Sequence, residues 1–435
     1  MRTHIRKLWD SLKSTYWFIP LIMMVLALML WWVTNTFDHQ LSTRDKKTIA
    51  WLYLSDADDM RTLLLTIAVA IIGVVGVVFT IIMVPLSIAA SQFGPRLLRT
   101  FLRDSGTQVT LGVFTSTFIF CMVVLLQLSH GSKQPLPQIS VNVALLLGLI
   151  SFGTLIYFIN HIAVSMQAPV VVAKVSKELH VAISHDLPDT LDNAAGVSSS
   201  NEYNLLPDPQ APHSVALAKK SGYLQVRDDD ALLRLAEKRN LVFKLLYEPG
   251  NFVTEGRPLV QIWPGKNDDS LNEAINAAFV PGIQRTLVQD VTFGINELVE
   301  VAIRAMSPAI NDPFTAITCL DWIGSALCRI CVRRFPKALL FDSKDQLRII
   351  RSPVTFTGLA NAAFNQIREY GRGSTAVTLR LMETIQLVMR CAITDEQREA
   401  LLHHATLVET GCHTGLPEAS DRERVKDVYE AMRRL

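Results

Sequence analysis

The stretch TLLLTIAVAIIGVVGVVFTIIMVPLSIAASQFGP, residues Thr62–Pro95, carries no charged side chain over thirty-four positions between Arg61 and Arg96. A helix that crosses a bilayer needs only about 20 consecutive apolar residues, so this segment crosses with turns to spare as a tilted or protruding span. Within it stand Gly73, Gly76, Pro85, Ser87, Ala89, Ala90 and Ser91, small or helix-loosening residues that let another backbone come close.

Three further apolar runs flank it. Tyr16–Thr34 forms a first span, with Tyr16 and Trp17 at one interface and Trp31 and Trp32 near the other. That run is too long for the apolar region of a secretory signal, although Arg2, Arg6, Lys7 and Lys13 precede it. Val109–Leu128 and Val141–Ile162 give spans three and four. Four spans put both termini on one side. Basic residues favour the cytoplasm for that side, because the loop after span two holds Arg96, Arg99 and Arg103 whereas the loop around Lys133 holds one. The Phe37–Arg61 loop weakens the assignment with Arg44, Lys46, Lys47 and Arg61, offset by acidic residues that count little. Two readings fit Arg96, Arg99 and Arg103: an interfacial helix whose arginines meet lipid headgroups, or a positive-inside flank with no specific lipid.

Composition excludes little. With 42 basic and 40 acidic residues the net charge is +2, which gives no global field for nucleic acid. Six cysteines in 435 residues, none in a predicted outward loop, fit a reducing compartment without disulfides.

Beyond span four the pattern changes. The helix is expected to continue to about His185, followed by a Pro- and Ser-rich linker over 186–213. Tyr223–Val226, Leu241–Tyr247 and Gly256–Trp263 have strand composition, with Asp228–Asp230 capping a short helix Ala231–Arg239 between the first two. From Pro281 the reading is helical: Ile283, Leu287, Val291, Ile295, Leu298, Ala302 and Met306 recur at helical spacing. Asp312 with Pro313 opens a helix that runs to Arg334. Later helices are expected at about Gly358–Tyr370, Thr375–Ala392 and Asp395–Glu409, with capping boxes at Thr394/Gln397 and Ser420/Glu423. The predicted organisation is a cytoplasmic N-terminus (1–15), a four-helix membrane domain (16–163), a helical extension and linker (164–213), a small β-rich unit (214–265) and a helical cytoplasmic domain (266–435). The fold class is thus an α-helical integral membrane domain with four transmembrane helices joined to a cytoplasmic α+β region.

Ser91-Gln-Phe-Gly-Pro-Arg-Leu-Leu-Arg99 after the long span, Gly222-Tyr-Leu-Gln, Pro249-Gly-Asn-Phe-Val, the Arg285-Thr-Leu-Val-Gln-Asp-Val-Thr-Phe-Gly segment and Ser307-Pro-Ala-Ile-Asn-Asp-Pro313 together resemble a bacterial family of predicted membrane proteins, domain of unknown function 2254. The resemblance spans nearly the whole chain. It implies an inner-membrane protein and brings no activity, cofactor or site residues with it.

Candidate chemistry must come from the residues. Asp290, Glu297, Glu300 and Arg304, on one predicted helix, are followed by Ser307, Asn311 and Asp312. Asp290 and Glu297 share a face at a spacing of seven, and Glu300 and Arg304 make an i,i+4 pair. Such carboxylates serve as a general base or as hard-metal ligands; equally they form a solvated face in which Asp312 is used as a cap. Cys328-Arg-Ile-Cys331 lacks a second pair at zinc spacing, and His403, His404, Cys412 and His413 lack near partners in sequence. No phosphate-binding, dinucleotide or nucleophile-elbow motif is present. No metal or cofactor is therefore expected, and the sequence leans away from an enzyme.

No Asp, Glu, Lys or Arg falls within the four predicted spans, which disfavours ion-coupled transport. A pore lined by small and hydroxyl residues remains open, with Thr66, Gly73, Gly76, Thr80, Pro85, Ser87 and Ser91 as lining or packing candidates. Four spans enclose little, so a pore implies a homo-oligomer. The leading expectation is an oligomeric channel-like assembly in the lipid bilayer, gated by its cytoplasmic domain, its ion or small ligand unspecified and nucleic acid excluded. The rivals are a membrane-anchored scaffold or sensor, and a hydrolase or transferase using Asp290, Glu297 and Asp312.

Overall fold

The computed structural model describes residues 17–40, 56–93, 104–130, 136–187, 207, 211–265 and 267–434. Contacts divide the chain into two units, Met1–Val170 and Val171–Leu435. The first contains α1 (Phe18–Gln40), α2 (Ala57–Phe93), α3 (Ser105–His130) and α4 (Gln138–Ser165). At 1.5 Å per residue, the 37 residues of α2 extend about 55 Å.

Within this unit α3 is the central helix. In the most apolar window of α3, 44% is buried inside the protein, against 17% for α1 and for α2. Met60, Leu64 and Ala68 of α2 pack with Phe120, Cys121 and Val124 of α3, and Ile71 and Val78 pack with Phe114 and Phe158. Close approach of α1 to α3 depends on Gly112, where an added Cβ would lie 2.3 Å from Met23 Sδ. The outer surface is inverted relative to a soluble bundle: Val69, Leu149 and Phe152 are each at least 65% exposed. A continuous apolar exterior of this kind belongs in hydrocarbon.

The division between the units falls within the first turn of α5 (Ala168–Asp186). The expected continuous extension of the fourth span is broken at Met166–Gln167. Pro169 accounts for the break, since it lacks an N–H and restricts the residue before it, so it suits a helix start better than a helix interior.

Two sheets follow. The larger has the order β1 (Ser214–Leu217), β5 (Pro258–Trp263), β3 (Val242–Leu245), β8 (Leu347–Ile350), β7 (Leu339–Phe341), with only β3 and β8 parallel. The smaller places β2 (Gly222–Arg227) between β4 (Phe252–Val253) and β6 (Phe279–Gly282). Helices α6 (Asp229–Arg239) and α7 (Asp269–Ala277) bury Leu232, Ala236, Leu271 and Ile275 against Phe243, Val260 and Ile349. The β structure is therefore not confined to residues 214–265: it recruits β6, and a parallel partner from a hundred residues downstream. Arg227 ties the region together, donating to Asp229 at 2.5 Å, to Glu248 at 3.0 Å and to the Tyr247 carbonyl at 2.8 Å.

The remaining helices are α8 (Val291–Ala305), α9 (Pro313–Cys331), α10 (Phe356–Gly371), α11 (Thr375–Cys391), α12 (Asp395–Gly415) and α13 (Ala419–Arg433). Among the described residues five helices, not the expected four, are long and apolar enough to cross a membrane, the fifth being α9. Half of its apolar window is buried inside the protein. The helical pattern expected from Pro281 fails until Val291, because Pro281 and Gly282 pair with β2 and Asp290 caps α8 through the Phe293 N–H at 3.0 Å. Ile283, the first member of the expected stripe, is 91% exposed. The Thr394/Gln397 capping box forms, but Ser420 lies inside α13, whose N-cap is Glu418.

One carboxylate fastens the membrane unit. Asp38, on the last turn of α1 and 3% exposed, accepts from Ile139 N at 2.8 Å, Ser140 N at 3.1 Å and Ser140 Oγ at 2.7 Å. It thus caps α4 from another helix, satisfying N–H groups that have no intrahelical acceptor. Asp38→Ala leaves three donors without that acceptor and is expected to destabilise by about 2–3 kcal/mol, with Asp38→Asn roughly half as damaging. Unfolding in mixed micelles measures this; a loss below about 0.5 kcal/mol for the alanine variant would show the cap to be dispensable.

Candidate functional site

The outward face of α2 is the first candidate. Thr62, Thr66, Val69, Gly73, Gly76 and Thr80 alternate steps of four and three residues and are all exposed, whereas Met60, Leu64, Ala68, Ile71 and Val78 are buried on the inward face. Among the described residues a Cβ at Gly73 or Gly76 would meet nothing within 4 Å. The hydroxyls are satisfied within the helix: Thr66 Oγ1 donates to the Thr62 carbonyl at 2.7 Å and Thr80 Oγ1 to Gly76 at 3.1 Å. They can therefore face hydrocarbon or another helix without an orphaned donor. Ser87 is also exposed, and Pro85 and Ser91 fall within the helix. Arg96, Arg99 and Arg103 lie outside the described residues.

The ends of the helices carry polar ties that the sequence reading passed over. At one end, Trp31 Nε1 donates to Gln127 Oε1 at 3.0 Å and Gln127 Nε2 to Asn35 Oδ1 at 2.7 Å, beside the Asp38 cap. Elsewhere in the same unit Asp104 caps α3 through Thr107 N at 2.9 Å and pairs with His161 Nε2 of α4 at 2.7 Å. Gly106 makes room for the imidazole, since a Cβ there would lie 2.6 Å from Nε2. Tyr157 stacks on the other side of His161 with centroids 5.6 Å apart. His161, near the end of the fourth predicted span, is an interhelical partner. The only signal was an aspartate just ahead of span three and a histidine near the end of span four.

From this pair an open groove of about 580 Å³ runs between α3 and α4. Its apolar walls are Val109, Val113 and Ile150, with Gly153 and Thr154 at its floor. Inside the bundle, Thr117 Oγ1 and Ser151 Oγ hydrogen bond at 3.0 Å and hold the two helices together.

The second unit does not gather the predicted carboxylates. Asp290 is the N-cap of α8, not a member of its face, and so does not share a helical face with Glu297; it accepts from Arg285 Nε at 2.8 Å and Nη2 at 2.7 Å. The Pro249–Gly250 turn presses on it: a Cβ at Gly250, where φ is +95°, would lie 2.2 Å from Asp290 Oδ2. Glu297 is buried on α8. Glu300 pairs with Arg304 at 3.3 Å, and Ser307 Oγ donates to the Arg304 carbonyl at 2.7 Å. Asp312 caps α9, accepting from Thr315 N at 3.1 Å, while its own N–H donates to the Ala305 carbonyl at 2.7 Å. Asn311, at φ +49°, turns the chain between them. Ser307, Asn311 and Asp312 thus join α8 to α9 at a fixed angle. None of Asp290, Glu297 or Asp312 lines either the groove or a smaller cavity of about 150 Å³ among Arg368, Thr378 and Cys412. Among the described residues no group of three His, Cys, Asp or Glu is placed to hold a metal ion.

Two other clusters emerge. The thiol of Cys391 on α11 neighbours those of Cys328 and Cys331; burial pushes the Cys331 thiol up to about 12, and burial with the Cys391 thiol raises Cys328. Thiols so raised are poor nucleophiles. Asp186, at the end of α5, has one oxygen 2.8 Å from His185 Nδ1 and the other buried without a hydrogen-bond partner among the described residues. Burial, and to a lesser degree the charge of Asp290, raises it to about 6 against the pull of His185. Burial likewise raises Asp290, opposed by Arg285.

The profile of the family described as "Predicted membrane protein (DUF2254)" matches residues 13–386. The chain belongs to the DUF2254 family. Uncharacterized proteins of Mycobacterium bovis and Mycobacterium tuberculosis are 28% identical to it over 423 residues, covering 96% of this chain and 80% of theirs. No solved structure matches. DUF2254 membership accords with the apolar helices and assigns no chemistry to the polar residues above.

Asp186 and His404 set opposite pH slopes. Asp186 holds its proton up to about pH 6, against about 3.9 when unfolded, so the native state binds more protons in that window and stability falls as pH rises through it. His404, lowered to about 4 by burial and by the charges of His403 and Arg368, binds fewer protons than the unfolded chain between about 4 and 6.5, so stability falls as pH drops. Asp186→Asn should therefore raise the melting temperature at pH 7 by the equivalent of about 1–3 kcal/mol and make little difference at pH 4. Melting curves across pH 4–7 check this, and a uniform loss at every pH would overturn it.

Proposed function

We propose that this protein is an oligomeric, channel-like assembly of the bacterial inner membrane. Each chain contributes four spans, α1 to α4, with both termini in the cytoplasm. The outward face of α2 borders a conduction path, and the α+β unit assembles and gates it. One observation carries the reading: the Thr62–Thr80 stripe is exposed, small or hydroxyl-bearing at every position but Val69, and among the described residues leaves open space beside Gly73 and Gly76. Glycine within a helix is less favourable than alanine by about 1 kcal/mol and gains nothing from facing lipid. Two glycines on one exposed stripe are accounted for by a second backbone approaching there. The alternation of four and three is the 3.5-residue period of a left-handed helix seam. A path bordered by such a stripe would be lined by hydroxyls and gated by dewetting at Val69 or Val77.

Counting α9 outside the membrane rests on its surroundings. Its buried face, Cys319, Leu320, Ile323, Ala326, Leu327 and Ile330, packs within the second unit, and Asp321 is exposed on the opposite side. This is the pattern of a core helix in water. The hydrolase reading has less support, because its three carboxylates are spent on caps and ion pairs or lie apart from both cavities.

Gly73→Leu and Gly76→Leu test the seam, since a Cβ added at either position meets nothing within 4 Å among the described residues. Both variants are expected to fold but to lose the oligomer in size-exclusion chromatography with light scattering, and to lose conductance in planar bilayers. Oligomers and currents that survive both substitutions would rule out α2 as the seam. A map in lipid nanodiscs with α2 facing lipid all round would do the same.

A further inference from the structure

We infer that the cavity between α10, α11 and α12 is a binding site for a small organic monocarboxylate, its apolar body inside and its carboxylate on the guanidiniums of Arg368 and Arg372. The site lies wholly within the second unit and does not depend on the oligomeric reading of α2.

The cavity has a volume of about 150 Å³, the size of an engineered protein cavity that takes up benzene. Its apolar walls are Ile367, Val377, Leu381 and Val408, all buried. Thr378 and Cys412 also line it, with their donors already used: Thr378 Oγ1 donates to the Gly371 carbonyl at 3.3 Å and Cys412 Sγ to that of Glu409 at 2.9 Å. A resident water needs roughly two to four polar partners, which such walls do not supply. Glycine holds the space open. A Cβ at Gly411, within α12, would meet nothing within 4 Å among the described residues. Alanine there would favour the helix and narrow the cavity, so the glycine serves the cavity rather than the helix.

Charge identifies the occupant. Arg368 lines the cavity half-buried, and its Nε is buried without a hydrogen-bond partner among the described residues. Arg372, one turn further on, is exposed and so stands at the mouth. Neither forms an ion pair with a described residue; Glu369, which also lines the cavity, is exposed and pairs with neither. Two guanidiniums against one carboxylate leave the lining with an excess of positive charge. A guanidinium only donates, and a buried charged donor is costly until an acceptor meets it. Carboxylate and phosphate both match its paired N–H groups, and the walls separate the two. Phosphate would turn its remaining oxygens toward aliphatic side chains that cannot donate, whereas a carboxylate carries an apolar body of about six carbons into that space.

Fluorine NMR of 4-fluorobenzoate with the full chain in nanodiscs tests the site, with empty nanodiscs as the blank. Saturable broadening of the probe signal is expected. Benzamide, a neutral isostere of benzoate, and inorganic phosphate should each displace the probe about tenfold more weakly than benzoate does. Gly411→Leu fills the cavity from α12, and Arg368→Met keeps the stem while removing the charge; each should weaken binding about tenfold. Circular dichroism checks that both variants fold. Should either misfold, Gly411→Ala, which favours the helix while narrowing the cavity, takes its place with a smaller loss in the same direction. Absence of saturable binding, displacement by benzamide or phosphate as strong as by benzoate, or an affinity unmoved in any folded variant would overturn the site.

Discussion

The first N–H groups of a helix have no intrahelical acceptor, and the membrane unit is built around that constraint. Asp38 reaches from α1 to the first N–H groups of α4, and Asp104 caps α3 while holding His161 of α4. Each carboxylate does two things at once, supplying an acceptor to orphaned donors and fixing the spacing between two helices. Because apolar side chains in lipid gain little by burial against one another, these polar ties and the close contacts at Gly106 and Gly112 set the arrangement of the helices. The hydrophobic effect holds the bundle in the bilayer but does not choose its packing.

That division explains what was legible beforehand. Spans are announced by length and hydropathy, so Thr62–Pro95 identifies a membrane protein from its own residues. Helix ends are announced only where the cap is local: Asp228, Asp312 and Thr394 each bond an N–H three residues on, within reach of a sequence window. Asp38 bonds residues a hundred positions away, and no window contains both. The β structure was half visible for the same reason. Strands β2, β3 and β5 have the right composition locally, whereas four-residue β8 takes its identity from pairing with distant β3, and three-residue β7 from pairing in turn with β8. Helical spacing from Ile283 onward misled because periodicity does not register a cap: Asp290 stops the helix from extending backwards, and the residues before it belong to β6 and its turn.

The predicted polar cluster was read as one face and proves to be a set of joints. Asp290 with Arg285 fixes the entry to α8 under Gly250; Ser307, Asn311 and Asp312 fix the passage to α9. Sequence could place these residues next to one another but could not distinguish carboxylates that share a pocket from carboxylates spent on backbone N–H groups, since both uses favour the same residue types at the same spacing. What it could not suggest at all is the company of Asp186. A carboxyl oxygen buried at the end of α5 without a partner among the described residues, near Asp290, is a place where folding and protonation are coupled.

Helix α2 shows why one apolar segment can hold two kinds of information. Met60, Leu64, Ala68, Ile71 and Val78 face inward and complete the unit, and any apolar residue of suitable volume would serve there. The opposite face carries Thr62, Thr66, Gly73, Gly76 and Thr80, residues that neither bury more surface nor improve the helix. In a soluble protein such a face would be unremarkable, because water accommodates small and hydroxylated residues equally well. In a bilayer it is a departure from what lipid contact alone requires, since leucine or isoleucine would give more dispersion contact and better helix stability. The composition of that stripe is not explained by the packing of the described residues, and the neighbouring helix proposed above, approaching at short distance, would supply a physical reason for it.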